Sequence, residues 1–144
     1  MRIFDLLRPL ALLSLRVALG VIFFYSGYRK LFGAPASALA EFRHLGFPSY
    51  FVYIAGTLEL FGAILLVLGL LTRWTAFLLA IEMVIVLAKV SIPQGGIYAV
   101  PNYQLPLALC AAAFTLVGTG AGLLSVDAAT FERSSGKPRK PAKS

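Results

Sequence analysis

The sequence has few ionisable residues for its length. Of its 144 residues, 13% are charged and 59% are apolar, whereas soluble domains carry about 25% charged residues. A domain this small keeps much of its surface in water and needs polar side chains to cover it. The shortage of charge therefore argues against a free-standing soluble domain and favours a protein that lies in a bilayer.

Cysteine and histidine are nearly absent as well, with Cys110 and His44 as the single residues of their types. One thiol cannot form an internal disulfide or a Cys-x-x-Cys couple. One imidazole without a cysteine cluster cannot build a zinc or iron–sulfur site. We therefore expect no metal site and no intrinsic cofactor, and we expect Cys110 to pack as a small apolar residue.

Acidic residues are outnumbered by basic ones, 6 to 13, which gives a net charge of +7. A run rich in Ser, Pro and Lys follows the last apolar segment, so residues 129–144 are predicted to form a basic, disordered, cytoplasmic tail. A polybasic tail beside a membrane helix is typical of a topology signal or a contact with anionic lipid. Nucleic acid is therefore not an expected partner. The tail's basic residues are Arg133, Lys137, Arg139, Lys140 and Lys143.

Four apolar runs are each long enough to cross about 30 Å of hydrocarbon, which takes about 20 helical residues. They span about residues 9–28, 50–71, 74–92 and 104–126. We predict an all-α, integral membrane four-helix bundle over residues 1–128. The segment Pro35–Leu45 alternates apolar and charged faces, which predicts a short interfacial helix in the first outer loop. A cleaved signal peptide at the N-terminus is the alternative, but Arg16 splits the first run.

The distribution of basic residues predicts the orientation, because cytoplasmic loops of membrane proteins are enriched in Lys and Arg. Four spans place both termini on one side. That side collects Arg2, Arg8, Arg73 and the tail, whereas the other collects Arg29, Lys30, Arg43 and Lys89. We therefore predict that both termini are cytoplasmic.

Three ionisable residues interrupt the predicted spans: Arg16, Glu59 and Glu82. Each costs at least about 2.5 kcal/mol at the bilayer centre unless it is paired, hydrated or neutralised. We expect Arg16 to face the bundle interior and to pair with Glu59, Glu82 or both. Lys89 is expected to reach the outer interface, near Tyr25, Lys30, Tyr103 or Gln104. Two interpretations stay open: the charges lock the helices together, or they form a polar pocket that handles a proton or a quinone head group.

Six short patterns then follow in order over residues 12–127, and together they resemble the DoxX family of small four-helix membrane proteins. The resemblance implies a bacterial inner-membrane protein whose relatives include subunits of thiosulfate:quinone oxidoreductase and partners of redox enzymes. It also implies that the family's polar positions fall on Arg16, Lys30, Glu59, Thr72, Arg73, Ser125 and Asp127. Gln104 departs from the pattern, since many members have Glu there. The patterns are Arg16-x-x-x-Gly20, Ser26-Gly27-x-x-Lys30-Leu31, Leu45-Gly46-Phe47-Pro48, Gly56-x-x-Glu59-x-x-Gly62, Gly69-Leu70-x-Thr72-Arg73 and Gly120-x-Gly122-x-x-Ser125-Val126-Asp127.

The sequence thus leaves three functions open. In the first, the protein is a subunit or accessory of a membrane redox system, binds a quinone and works with a redox-enzyme partner, without a self-contained catalytic site. In the second, it is a non-catalytic scaffold that docks a partner. The third is a small proton-coupled carrier built on Glu59 and Glu82; four helices are few for alternating access, so this function would need a homo-oligomer.

Overall fold

The computed structural model describes the backbone of residues 2–91 and 100–135 and the side chains of residues 7–89 and 103–130. Within these ranges every regular element is helical, which confirms the predicted all-α class. Two five-residue π-helical turns, Arg29–Gly33 and Leu87–Ser91, continue α1 and α4. The α-helices are α1 (Arg2–Tyr28), α2 (Pro35–His44), α3 (Tyr50–Leu68), α4 (Thr72–Val86), α5 (Val100–Thr119) and α6 (Val126–Ser135).

Four of the helices enclose one apolar core. Helix α1 packs along α3, α4 packs along α5, and contacts of α3 with α4 and of α1 with α5 complete the arrangement. The side chains between them are almost all apolar. Their close packing stabilises the bundle through many small van der Waals contacts. The core cluster consists of Leu19, Phe23, Ala63, Leu66, Ala76, Leu79, Met83, Leu109 and Leu116.

Glycines set the distance and register between α1 and α3. A Cβ on Gly27 would lie 2.7 Å from both the Gly56 carbonyl oxygen and the Leu60 nitrogen, so the two backbones touch there. Gly20 faces Ala63 in the same way, with 3.2 Å to its carbonyl oxygen. Helices α1 and α3 are therefore antiparallel. Small residues permit this close antiparallel approach, as they do in membrane helix pairs.

Two helices end earlier than the predicted spans because glycines stop them. Helix α3 ends at Leu68 rather than residue 71, since Gly69 adopts a left-handed φ of 71°. Helix α5 ends at Thr119 rather than residue 126, since Gly120 has a φ of 71° and donates its N–H to the Leu116 oxygen over 2.8 Å. A glycine in this conformation satisfies carbonyls at a helix end without a Cβ clash.

The loop and tail predictions have mixed outcomes. Helix α2 forms in the first loop, as the sequence predicts; its place at a membrane interface stays a prediction. Helix α6 extends to Ser135, so the prediction of disorder from residue 129 is wrong for the first seven residues of that segment. Residues 136–144 lie outside the described part of the chain.

The outer surface is strongly apolar. The segments Leu7–Gly33 and Tyr50–Leu68 are long and apolar enough to cross a membrane, and Tyr103–Thr119 is a shorter apolar helix. Large apolar side chains also face outward along the helices, among them Val21, Phe61 and Phe114, which are 60% or more exposed. Exposed apolar surface on this scale marks a protein that meets lipid or other chains. Crossing by α4 and α5 stays a prediction.

Candidate functional site

One end of the bundle holds a buried group of ionisable side chains, here named the carboxylate cluster: Ser26, Lys30, Glu59 and Glu82. The Lys30 Nζ lies 2.7 Å from Glu59 Oε2 and 3.9 Å from Glu82 Oε1. The Ser26 hydroxyl donates a 3.0 Å hydrogen bond to Glu59 Oε1. One ammonium therefore serves two carboxylates that come from different helices.

The carboxylate cluster is well shielded. Exposed fractions of the side chains are 2% for Glu59, 11% for Glu82 and 16% for Lys30. The Glu82 Oε2 atom is buried and has no hydrogen-bond partner among the described residues. The buried carboxylates of Glu59 and Glu82 thus share the single Lys30 ammonium.

Local structure explains why Lys30 points inward. Lys30 lies in the π-helical turn Arg29–Gly33, and single π turns are frequent at functional sites. Its Cβ lies against Gly56, where an added Cβ would be only 3.2 Å away. Side chains on a helix lean toward the N-terminus of that helix. The Lys30 side chain therefore leans back along α1, and Glu59 leans back along the antiparallel α3, so the two meet.

Helix α2 covers the carboxylate cluster through one aromatic ring. Lys30 Nζ lies 5.7 Å from the centroid of the Phe42 ring, within the range of a cation–π contact. Phe42 in turn packs on Phe47, and Phe47 packs on Phe51 at the start of α3, with centroid separations of 5.7 Å in both pairs. The helix between α1 and α3 thus closes the end of the bundle over the ammonium group.

The other end of the bundle is held by Arg16, which is 1% exposed. Its guanidinium donates hydrogen bonds to four carbonyl oxygens: those of Leu66 at 2.9 Å, Val67 at 2.8 Å, Ala121 at 2.9 Å and Leu124 at 2.6 Å. We name this arrangement the arginine clasp. It joins α1 to the end of α3 and to the turn between α5 and α6.

Asp127 adds a second link at the same end. Its carboxylate accepts hydrogen bonds from the backbone N–H groups of Leu71 at 2.9 Å and Thr72 at 3.1 Å, and its own N–H donates to the Gly69 oxygen at 3.0 Å. The carboxylate therefore caps the start of α4 from a distant part of the chain, in the way that acidic side chains stabilise helix N-termini. The Ser125 hydroxyl accepts from the Ala128 N–H at 3.1 Å and so caps α6.

The glycines of these turns leave room for the clasp. An added Cβ on Gly69 would meet Ser125 Cβ at 2.6 Å and the Arg16 guanidinium carbon at 2.8 Å. On Gly120 it would lie 3.1 Å from the Arg73 Nε, and on Gly122 it would lie 3.0 Å from a Leu12 methyl group. At Gly69 glycine is required by space as well as by φ, whereas at Gly120 and Gly122 the left-handed φ is what favours it.

The structure contradicts one predicted contact. Arg16 faces the interior as expected, but it bonds carbonyl oxygens, and Lys30 pairs with Glu59 instead. In the α1–α3 register Arg16 lies level with Val67, about eight residues or about 12 Å along the axis from the level of Glu59. The Arg16 side chain also leans toward the N-terminus of α1, away from Glu59.

The remaining predicted site residues do not join the carboxylate cluster. Tyr25, Lys89 and Gln104 are exposed. Gly27, Gly56 and Gly62 form helix contacts, as described for the first two; Gly62 lies against α4, with a Leu79 methyl group 3.3 Å from an added Cβ. Thr72 is fully buried at the arginine clasp, and Arg73 is exposed beside it. Cys110 is partly buried, with its Sγ 3.8 Å from the Ala80 oxygen.

The donor set offers little for a metal. Within the described residues there is no group of three or more His, Cys, Asp or Glu that could hold an ion. Glu59 and Glu82 are the only two carboxylates that the described site brings together, and the Lys30 ammonium already lies between them. The arrangement can donate and accept hydrogen bonds, and it does not offer the oxygen-ligand set of a Mg²⁺ or Ca²⁺ site.

Comparison with known proteins gives several relatives. The chain is 31% identical over 122 residues to "Putative oxidoreductase CatD" of Bacillus subtilis, which covers 83% of this chain and 87% of the relative. It is 28% identical over 138 residues to "Uncharacterized membrane protein Rv3486" of Mycobacterium tuberculosis, with 88% and 85% covered. An uncharacterized protein of Haemophilus influenzae is 38% identical over 76 residues, 53% of this chain and 55% of that protein. No solved structure gives a significant match.

A model of the DoxX family matches residues 11–92, which run from within α1 to beyond the end of α4 and include Arg16 and the whole carboxylate cluster. The match and the identity to the Bacillus subtilis relative over most of both chains agree with the motifs seen in the sequence. The chain belongs to the DoxX family of membrane proteins.

Proposed function

We propose that this protein crosses the bacterial cytoplasmic membrane four times, through α1, α3, α4 and α5, with both termini in the cytoplasm. Two features support this topology: the apolar outward faces, and the enrichment of basic residues at the end of the bundle that holds the arginine clasp, here named the arginine end. The carboxylate cluster then lies toward the outer leaflet, beneath α2. The arginine clasp lies toward the cytoplasm.

In this topology the carboxylate cluster binds the head group of a quinone or quinol and serves a membrane redox system. The carrying observation is the buried Lys30 ammonium that the Glu59 and Glu82 carboxylates share. A carboxylate accepts a hydrogen bond from a quinol hydroxyl, and an ammonium donates one to a quinone carbonyl. The cluster therefore holds an acceptor for the hydroxyl groups of the quinol form and a donor for the carbonyl groups of the quinone form.

An apolar groove provides a place for the ligand's hydrocarbon tail. It lies between α3 and α4, has a volume of about 600 Å³ and is lined by Ile54, Leu58, Phe61 and Leu78 among others. Leu78 precedes Glu82 by one helical turn, so both residues occupy the same face of α4. The lining of the groove does not include the residues of the carboxylate cluster, so a head group at Glu82 would have to reach past Leu78, about one helical turn along α4.

Electrons reach the bound quinone through a partner protein. A quinone supplies two-electron, two-proton chemistry when bound; Glu82 and Glu59 would hold or release protons, Lys30 would orient the head group, and Phe42 would exclude water. The similarity to a relative whose name is "Putative oxidoreductase CatD" supports a place in redox metabolism. A redox-enzyme partner and a homo-oligomer stay predictions.

Thermal unfolding in lipid nanodiscs with decylubiquinone as the probe tests this function. A ligand at one hundred times its Kd stabilises the folded protein by about 2.7 kcal/mol. We expect a rise in Tm for the wild type and for Glu41→Gln, whose carboxylate is 61% exposed on α2. Glu82→Gln should lose most of the rise. An unchanged wild-type Tm, or equal rises in both variants, would refute quinone binding at Glu82.

A non-catalytic scaffold is the second candidate, and the arginine clasp favours it. Most residues of the DoxX-like patterns at that end bond backbone atoms or fill turns, as Arg16, Asp127 and Ser125 do. A partner would then dock on the tail. Under the scaffold model, proteins that co-purify with the full chain should be lost on truncation after Glu132, and decylubiquinone should leave the Tm of the full chain unchanged.

A further inference from the structure

Two adjoining cavities lie at the arginine end of the bundle, on either side of the turn between α5 and α6. One, of about 650 Å³, is lined by Arg73, Trp74 and Thr130 among others. The other, of about 400 Å³, is lined by Arg8, Pro9 and Leu12. Thr119 and Gly122 border both cavities. An arginine therefore stands on each side of one shared turn.

The local charge is positive. Asp127 lines the larger cavity and is the described carboxylate at this end; its two oxygens already accept the N–H groups of Leu71 and Thr72. Against it stand Arg8, Arg73 and the buried Arg16. The charged residues in the sequence beyond α6 are all basic. An anion that enters these cavities would meet more positive than negative charge.

The surroundings of the cavities are apolar. Trp74 is 70% exposed, Leu123 is 76% exposed and Leu71 is 61% exposed. Exposed tryptophan and leucine beside arginine are typical of the level where lipid head groups meet acyl chains. Thr72, which also lines the larger cavity, is fully buried, and its hydroxyl oxygen has no hydrogen-bond partner among the described residues. The cavities thus combine positively charged side chains, an apolar rim and a buried hydroxyl without a hydrogen-bond partner among the described residues.

We infer that these cavities bind the phosphate head groups of anionic phospholipids, one at Arg73 with Trp74 against the glycerol and upper acyl chain, and one at Arg8. Arginine N–H groups donate paired hydrogen bonds to phosphate oxygens. A zwitterionic lipid is disfavoured because its choline cation faces the same arginines. A soluble phosphate lacks the acyl chains that the exposed apolar rim would contact.

Trp74 supplies a local probe, because it is the only tryptophan of the chain. The full-length protein is reconstituted in vesicles that contain brominated phosphatidylglycerol or brominated phosphatidylcholine at equal mole fraction. We expect stronger quenching of Trp74 by phosphatidylglycerol, and a weaker preference at high salt. Arg8→Gln and Arg73→Gln should each lower the preference about fivefold, the effect of about 1 kcal/mol per basic residue near an anionic surface.

Arg43→Gln is the matched control, since Arg43 is exposed on α2 and donates to the Ser49 hydroxyl; it should keep the preference. Equal quenching of the wild type by the two lipids overturns the inference without any variant. A preference that survives in Arg8→Gln and Arg73→Gln also overturns it. Loss of the preference on addition of glycerol 3-phosphate would assign the site to free phosphate rather than lipid and would overturn the lipid assignment.

Discussion

Replacing Arg16 by glutamine should destabilise the protein more than any other single change at the arginine end. Four carbonyl oxygens lose their bonds to the guanidinium. The Leu66 oxygen still accepts the Gly69 N–H at 3.1 Å. The Val67, Ala121 and Leu124 oxygens have no other hydrogen-bond donor among the described residues.

The magnitude follows from those three oxygens. A buried acceptor left without a partner costs about 1–3 kcal/mol, so Arg16→Gln should lower the free energy of unfolding by about 3–9 kcal/mol. A stability of about 5–15 kcal/mol is typical of a folded domain. Arg16→Lys keeps the charge but loses the planar set of five donors, so an intermediate loss is expected.

Denaturant titration in detergent, followed by the fluorescence of Trp74, measures these losses. A double-mutant cycle with Glu59→Gln then separates the clasp from the pairing that the sequence indicated. Because Arg16 and Glu59 lie about 12 Å apart along the axis, their effects should add within about 0.5 kcal/mol. A coupling above about 1 kcal/mol, or wild-type stability in Arg16→Gln, would refute this reasoning.

Three further predictions use the same fluorescence titration. Glu59→Gln should lower stability less than Glu59→Leu, since an amide oxygen still accepts the Ser26 hydroxyl; equal losses would instead show that the charge itself is needed. Asp127→Ala should cost about 1 kcal/mol through loss of the α4 cap, and Asp127→Asn should recover part of it, whereas no recovery would rule out capping. Gly27→Ala should cost about 1–3 kcal/mol because its Cβ meets the α3 backbone at 2.7 Å; Gly118→Ala, with nothing within 4 Å, is the control, and equal effects would contradict the tight contact.

Much of the fold could be read from the sequence because apolar runs and glycines report directly on helix packing. The stripe of Gly56, Glu59 and Gly62 at helical spacing indicated a buried face of α3, and all three are buried. The helix between the first two spans was also predictable from its alternating faces. Helix ends were less predictable, since an apolar run does not reveal where a glycine adopts a left-handed φ.

The distance of each charged residue from the end of its predicted span did not suffice to identify its partner. That estimate neglects the lean of helical side chains toward the N-terminus, which carries Arg16 away from Glu59 and Lys30 toward it. A signal was present: Lys30 follows Gly27 by three residues, and Glu59 follows Gly56 by three residues. Opposed glycines on antiparallel helices bring those two side chains together. The capping role of Asp127 required knowledge that the α5–α6 turn lies beside the start of α4.

The apolar core described above has an electrical consequence. The space between the carboxylate cluster and the arginine clasp is filled by Leu19, Phe23, Leu66, Leu79 and Leu116. Thr75 contributes a buried hydroxyl on the side of the arginine clasp. Protons move along chains of water and polar groups, and a dry hydrocarbon layer interrupts such a chain. In the proposed topology, proton exchange at Glu82 would therefore be confined to one face of the membrane.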